Sequence, residues 1–277
     1  MNYLVVTGGA GFIASNLIEL LLRKTKFKII SIDNYSTGSK LNHIKHKRVK
    51  YIKGNTINFE KILKKNRIKN IKAIFHFAEF SRIYQSFKNI NSCFSSNITG
   101  TNQVIQFCLK NKIKIIYSAT SASLGKNGND QNLSPYAFTK STNMNLIMNL
   151  NEWFNLSYEI IYFYNVYGPR QILSSNMAAV IGIFEQCYKK NLPLPVVLPG
   201  SQTRSFTHVQ DTVSTCYEAW KQNKNSHYSI SSKNSYSINQ VAYFFSNKKI
   251  YIPERRGERF KSTIVKKIRN KKIFNRV

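Results

Sequence analysis

Short apolar runs rich in β-branched residues punctuate the first half of the chain at residues 3–6, 28–32, 49–53, 73–77, 114–118 and 158–163. Runs of that length and composition suit strands buried on both faces of a parallel sheet. Between them, residues 13–23, 59–66, 95–110 and 138–153 repeat apolar side chains at i, i+3 and i+4, the spacing that gives a helix one buried face. Alternation of the two periods predicts βαβ units with right-handed crossovers, hence an α/β fold with a doubly wound parallel sheet. After residue 168 the pattern changes: a helix at 177–190, an extended run after Pro195, a helix at 212–222, then strand, helix and strand as far as Pro253. We therefore expect a larger domain at 1–168 and, at 169–277, mainly a smaller lobe. Residues 261–277 are basic and weakly patterned, and no element is assigned to them.

A chain of 277 residues with 42% hydrophobic positions can bury a full core. Its apolar runs fall short of the roughly 20 residues that a membrane span requires, and the start lacks the basic, apolar and small-residue regions of a secretory leader. A cytoplasmic location is expected. Forty-two Lys and Arg against twelve Asp and Glu give a formal charge of +30, which raises the question of a nucleic-acid partner. The lysines are dispersed among Asn and Ile, so the charge reads as a solvated surface, with no nucleic-acid partner expected. Cys93, Cys108, Cys187 and Cys216 lie far apart and form no C-x-x-C pair, so neither a metal site nor a disulfide framework is indicated.

The segment Thr7-Gly8-Gly9-Ala10-Gly11-Phe12-Ile13-Ala14 ends the first strand and opens the first helix, the context of a dinucleotide-binding loop. Gly9 and Gly11 are expected to supply the backbone angles and close approach that a pyrophosphate needs, above the unpaired N–H groups of the helix start. Asp33, in Ile32-Asp33-Asn34 at the end of the second strand, can accept from adenosine ribose hydroxyls and would repel a 2′-phosphate. That favours NAD over NADP.

Tyr136 and Lys140 stand four residues apart at a predicted helix start, so they share a face. A neighbouring ammonium makes a phenol a usable general base. The fifth strand runs into Ser118-Ala119-Thr120-Ser121, where open α/β sheets bind ligands, and Thr120 can share a proton with Tyr136.

With these motifs the chain resembles the extended short-chain dehydrogenase/reductases, specifically the nucleotide-sugar epimerases and dehydratases. The resemblance rests on TGGAGFIAS, IDNYSTG, HFA at His76 to Ala78, SNITGT around Asn97, SATS, SPYAFTK, FYNVYGPR and RSFTHVQD, in family order over nearly the whole chain. It implies a Rossmann-type NAD domain, a smaller substrate lobe, a homodimer and a transient 4-keto sugar. It further implies cofactor contacts from Gly8, Gly9, Gly11, Phe12, Ile13, Asp33, Asn34, Ala78, Tyr136 and Lys140. Thr120, Tyr136 and Lys140 become the catalytic trio, and Asn165, Arg204 and Arg255 the contacts to a nucleotide diphosphate.

The chain departs from the family pattern in three places. Ser121-Ala122 stand where typical 4,6-dehydratases carry an Asp-Glu pair, which makes a 4-epimerase the leading reading and a 4,6-dehydratase the alternative. A non-catalytic NAD- or nucleic-acid-binding protein is the rival of another class. Where the family has His-x-Ala-Ala, this chain has His76-Phe77-Ala78-Glu79. Glu79 is either a displaced catalytic acid/base or the partner of Arg82. The family also usually continues through a further turn and helix beyond the position of Arg259.

Overall fold

A computed structural model of the chain describes residues 2–123, 130–232, 234–246, 248–257, 260, 267–268 and 271–276. Its first half contains β1 (Tyr3–Thr7), α1 (Phe12–Lys24), β2 (Lys28–Asp33), β3 (Val49–Lys53), α2 (Phe59–Lys65), β4 (Ile71–His76), α3 (Ile83–Lys88), α4 (Ile90–Phe94), α5 (Thr101–Lys110), β5 (Lys114–Thr120), α6 (Pro135–Phe154) and β6 (Tyr158–Phe163). There follow β7 (Val166–Tyr167), α7 (Val180–Lys189), β8 (Leu194–Val197), β9 (Thr203–Ser205), β10 (Thr207–His208), α8 (Val209–Gln222) and β11 (His227–Ile230). The remaining elements are β12 (Ser235–Ser237), α9 (Ile238–Phe245), β13 (Lys249–Ile252), β14 (Lys267–Ile268) and β15 (Lys271–Arg276).

Among the described residues, nine strands form one sheet in the order β14-β15-β11-β6-β5-β4-β1-β2-β3, with only the edge pair β14–β15 antiparallel. The direction in which successive strands are added reverses between β1 and β4, and ligands of such sheets bind in the crevice at the strands' carboxyl ends there. Alternation along the strands sorts the two cores. Val5 of β1 joins Leu63 of α2, Val104 of α5 and Ile147 of α6 on one face, whereas Leu4 and Val6 join Leu17 of α1 and Val213 of α8 on the other. A third cluster, with Phe184, Leu194, Val196, Ile238, Val241 and Ala242, forms the small lobe around α7, β8 and α9. No helix among the described residues is long and apolar enough to cross a membrane.

The helix expected at 95–110 forms, but its first six residues, Ser95–Gly100, wind as a π-helix that joins α4 to α5. Gly100 there faces Thr56, whose Oγ1 would lie 2.3 Å from a Cβ, and the buried Asn97 turns its amide onto Phe80, accepting from the backbone N–H at 2.6 Å. Such insertions occur often at functional sites. The unassigned tail contributes β15, parallel to β11, with Phe274 stacked on Tyr228 at 5.6 Å between ring centroids.

Candidate active site

Gly8, at the end of β1, adopts φ +72°, a conformation that side chains resist, and a Cβ there would lie 2.9 Å from the carbonyl carbon and oxygen of Phe77. The expectation for Gly9 and Gly11 is thus corrected, since the left-handed residue is Gly8. Gly9 is needed because a Cβ would meet Ser31 Oγ at 2.1 Å, and Gly11 because its Cβ would approach Gly8 O at 3.0 Å. Gly11 caps α1 without a side-chain hydrogen bond, and no acidic residue sits in the first turn. The amides of Phe12, Ile13 and Ala14 are therefore placed to receive an anion.

Asp33 lies beneath the loop, 7% exposed. Its Oδ2 accepts from Ala10 N at 3.0 Å and its Oδ1 from Tyr35 N at 2.7 Å. Burial pushes its carboxyl above the ordinary value, and the amides of Tyr35 and Ala10 oppose this. Each oxygen keeps a second lone pair for a ribose hydroxyl. Asn34 is exposed and holds the neighbouring turn, its Oδ1 accepting from Ser36 N at 2.9 Å. The left-handed turn, the uncapped helix start and the carboxylate at the end of β2 together fit an NAD pyrophosphate and adenosine ribose.

Behind the loop runs a buried relay of side chains. Thr7 Oγ1 accepts from the backbone N–H of Phe77 at 3.0 Å and of Ala78 at 3.2 Å, so its proton goes to His76 Nδ1 at 2.8 Å. The opposite ring nitrogen, Nε2, then donates to Thr101 Oγ1 at 2.8 Å, and Thr101 donates to Glu79 Oε1 at 3.1 Å. Burial pushes the His76 imidazole down to about 4, with Glu79 opposing and Lys140 reinforcing the shift. His76 is therefore neutral, in the tautomer that this relay requires.

Pro135 occupies the first turn of α6, and Ser134 caps it by accepting from Ala137 N. That cap fixes the start of the helix and so the shared face of Tyr136 and Lys140. Lys140 is buried and donates to Glu79 Oε2, to the backbone carbonyl oxygen of Ser118 and, at 3.4 Å, to Ser118 Oγ. Its ammonium also stands 4.7 Å from the centroid of the Tyr117 ring. Thr120, at the end of β5, is 7% exposed and accepts from Ala122 N at 3.1 Å. Tyr136 is anchored through its backbone N–H, which donates to Ser86 Oγ of α3 at 3.2 Å.

Of the two readings of Glu79, the partnership with Arg82 is not formed. Arg82 donates to the backbone carbonyl oxygens of Met177 and Ser81, at 2.7 and 2.9 Å. Glu79 turns inward instead, its side chain 2% exposed, and pairs with Lys140. Its Oε1 also accepts from Tyr117 OH at 3.0 Å and Asn143 Nδ2 at 3.1 Å. Sequence reasoning missed Thr101, Tyr117 and Asn143. Only Asn143, three residues after Lys140 on the same helix, carried a local signal.

The expected substrate contacts lie on other segments of the chain. Asn165 donates through Nδ2 to Ser205 O at 2.9 Å, tying the end of β6 to β9. Arg204 lies on β9 opposite Tyr236 of β12. Arg255 lies over the Tyr84 ring of α3, 5.7 Å from its centroid, on the helix whose Ser86 holds Tyr136. A cleft of about 870 Å³, lined in part by Tyr167, Arg170, Phe206 and Phe244, includes none of the predicted site residues.

Known proteins resemble this chain in sequence and in fold. The uncharacterized UDP-glucose epimerase YtcB of Bacillus subtilis is 30% identical over 230 residues, spanning 76% of this chain and 70% of that protein. The UDP-N-acetylglucosamine 4-epimerase of Methanobrevibacter ruminantium M1, solved with UDP-N-acetylmuramic acid, superposes with a TM-score of 0.84 at 28% identity, covering 94% of this chain and 88% of that one. The UDP-glucuronic acid 4-epimerase of Bacillus cereus, solved with UDP-glucuronic acid and NAD, gives 0.84 at 25% identity, with 94% and 89% covered. The family model described as the NAD dependent epimerase/dehydratase family matches residues 4–231, and the chain belongs to that family.

Proposed function

We propose that the protein is a 4-epimerase of a nucleotide-activated sugar. One observation carries the choice over dehydration: Thr101, Tyr117, Asn143 and Lys140 occupy the carboxylate of Glu79. With Ser121 and Ala122 in place of an acidic pair, Tyr136 is then the group left to handle a proton on the sugar. Epimerisation at C4 needs no other.

In this reading Tyr136 takes the proton of the C4 hydroxyl and later returns it, with Thr120 sharing that proton. NAD, held by the turn at Gly8 and by Asp33, would supply the hydride chemistry at C4. Lys140 supplies the positive charge that stabilises the phenolate, and Asp33 with the first turn of α1 fixes the cofactor. Asn165, Arg204 and Arg255 hold the nucleotide diphosphate, for which guanidinium groups suit bidentate binding. The enzyme acts in the cytoplasm as a homodimer. Support for the dimer comes from the exposed, stacked Phe94 of α4 and Phe138 of α6, with centroids 6.1 Å apart, and from exposed Trp153 farther along α6.

Incubation with UDP-, GDP- and dTDP-sugars, followed by chromatography and product mass, tests the proposal. A product of unchanged mass and altered retention is expected. A product lighter by one water would replace the epimerase with the dehydratase.

A further inference from the structure

Among the described residues, Glu79 is the single carboxylate of a buried cluster drawn from five elements. His76 ends β4, Thr101 opens α5, Tyr117 lies on β5, and Asn143 and Lys140 lie on α6, while Thr7 at the end of β1 reaches the cluster through His76. Six residues of the cluster are 4% exposed or less: Thr7, His76, Thr101, Tyr117, Lys140 and Asn143. Only Lys140 and Glu79 carry opposite charges in it. His76 is neutral; Tyr117 is pushed far above the ordinary phenol value by burial and by Glu79, and nearby Cys93 is pushed up by burial. The other titratable groups nearby are Tyr136, on the face shared with Lys140, and Arg82, which burial pushes down and Tyr136 pushes up.

The direction of the hydrogen bonds leaves Glu79 only one electrostatic role. Three neutral donors converge on Oε1 and fix the plane of the carboxylate, so that Oε2 is presented to Lys140. A buried ammonium without such a counter-charge is costly and sheds its proton more readily. The fixed link also runs back through Thr101 and His76 to Thr7, the residue before the left-handed Gly8. The cofactor turn and the lysine thus share one rigid series of bonds.

We propose that Glu79 is a positioning residue that keeps Lys140 charged and aimed beside Tyr136, acting through the lysine and not on the sugar. This inference rests on the reading of Tyr136 and Lys140 as the catalytic pair. Removing a negative charge makes every neighbouring group release its proton more easily, whereas removing an acid/base simply stops a step. The two roles therefore separate in a pH experiment.

The test uses the full-length protein with lysines labelled by ¹³C at Cε and no sugar present, the Lys140 resonance being assigned by its loss in Lys140→Met. In Glu79→Gln the Lys140 midpoint is expected to fall by about one pH unit or more relative to the parent, and in Glu79→Asp to return most of the way. Both limbs of the kcat/KM profile are expected to move to lower pH in Glu79→Gln and to recover in Glu79→Asp. Identical Lys140 midpoints in the parent and Glu79→Gln would overturn the proposal. So would loss of turnover at every pH with the midpoint unmoved, which marks an acid/base on the sugar. If Glu79→Gln does not fold, Glu79→Gln/Lys140→Met is expected to fold, because no buried charge is left unpaired; a double variant that also fails overturns the assignment. A Tyr136→Phe variant with full turnover would instead defeat the catalytic reading and leave the lysine midpoints standing.

Discussion

Thr7 and His76, at the carboxyl ends of adjacent parallel strands, are joined by a 2.8 Å hydrogen bond in which the hydroxyl donates to the imidazole. This bond needs a neutral ring, and burial holds the imidazole at about 4 against an ordinary 6.5. Below pH 6.5 the unfolded protein takes up a proton that the folded one refuses, so this contribution to stability is complete above 6.5 and is lost as pH falls toward 4. At about 1.4 kcal/mol per unit, the loss across that window is about 3 kcal/mol. Urea unfolding of the parent and His76→Gln across the window checks this. The parent should show the steeper acid decline, and equal slopes would refute it.

Gly8→Ala forces a side chain into a left-handed conformation and against the backbone of Phe77. The expected cost is about 1–3 kcal/mol of stability, together with loss of measurable NAD binding. Gly11→Ala keeps an ordinary φ and should cost less. Thermal melting with and without NAD ranks the two, and a milder effect at Gly8 contradicts the assignment of the turn.

Asp33→Asn leaves one acceptor oxygen and removes the charge. Loss of a charged hydrogen bond to ribose, about 1.5–3 kcal/mol, should weaken NAD about tenfold to a hundredfold, while NADP affinity holds or rises. Fluorescence titration with both cofactors decides it. Equal NAD and NADP affinity in the parent would remove the role given to Asp33.

Tyr136→Phe deletes only the proton-carrying hydroxyl. Turnover should fall about 10²–10⁴-fold with nucleotide-sugar binding retained, as measured by calorimetric titration beside the rate assay. Unchanged turnover would assign the base elsewhere.

Phe138→Glu places a charge on the exposed aromatic pair formed with Phe94. A shift from dimer to monomer is expected in size-exclusion chromatography with light scattering. A parent that is already monomeric shows that α4 and α6 do not form the interface.

The sequence revealed what is local. The glycine loop, Asp33 at a strand end and the four-residue spacing of Tyr136 and Lys140 each need only one turn or one helix to be recognised, and each lies where its motif predicts. Glu79 was different. Its contacts to Thr101 and Asn143 span 22 and 64 positions, so no spacing rule reaches them. Its expected pairing with Arg82 assumed helical geometry, yet α3 begins only at Ile83 and Arg82 is extended. The π-helical turn at Ser95–Gly100 was hidden for a related reason, because apolar periodicity continues through it while Gly100 and Asn97 answer to Thr56 and Phe80 in other segments.

The small lobe is assembled from two separate excursions of the backbone away from the main sheet. The first, between β7 and β10, supplies β8 and β9; the second, between β11 and β14, supplies β12 and β13. Yet β8 pairs with β13 and β9 with β12. Neither excursion can close these strand pairs alone, so the lobe needs both and is held by contacts distant in sequence. The family model ends at residue 231, one residue past β11. Each of these two ribbons therefore joins one strand inherited with the family to one from beyond its match, and divergence in the second excursion can reshape the lobe while leaving the cofactor turn and the buried Glu79–Lys140 pair untouched.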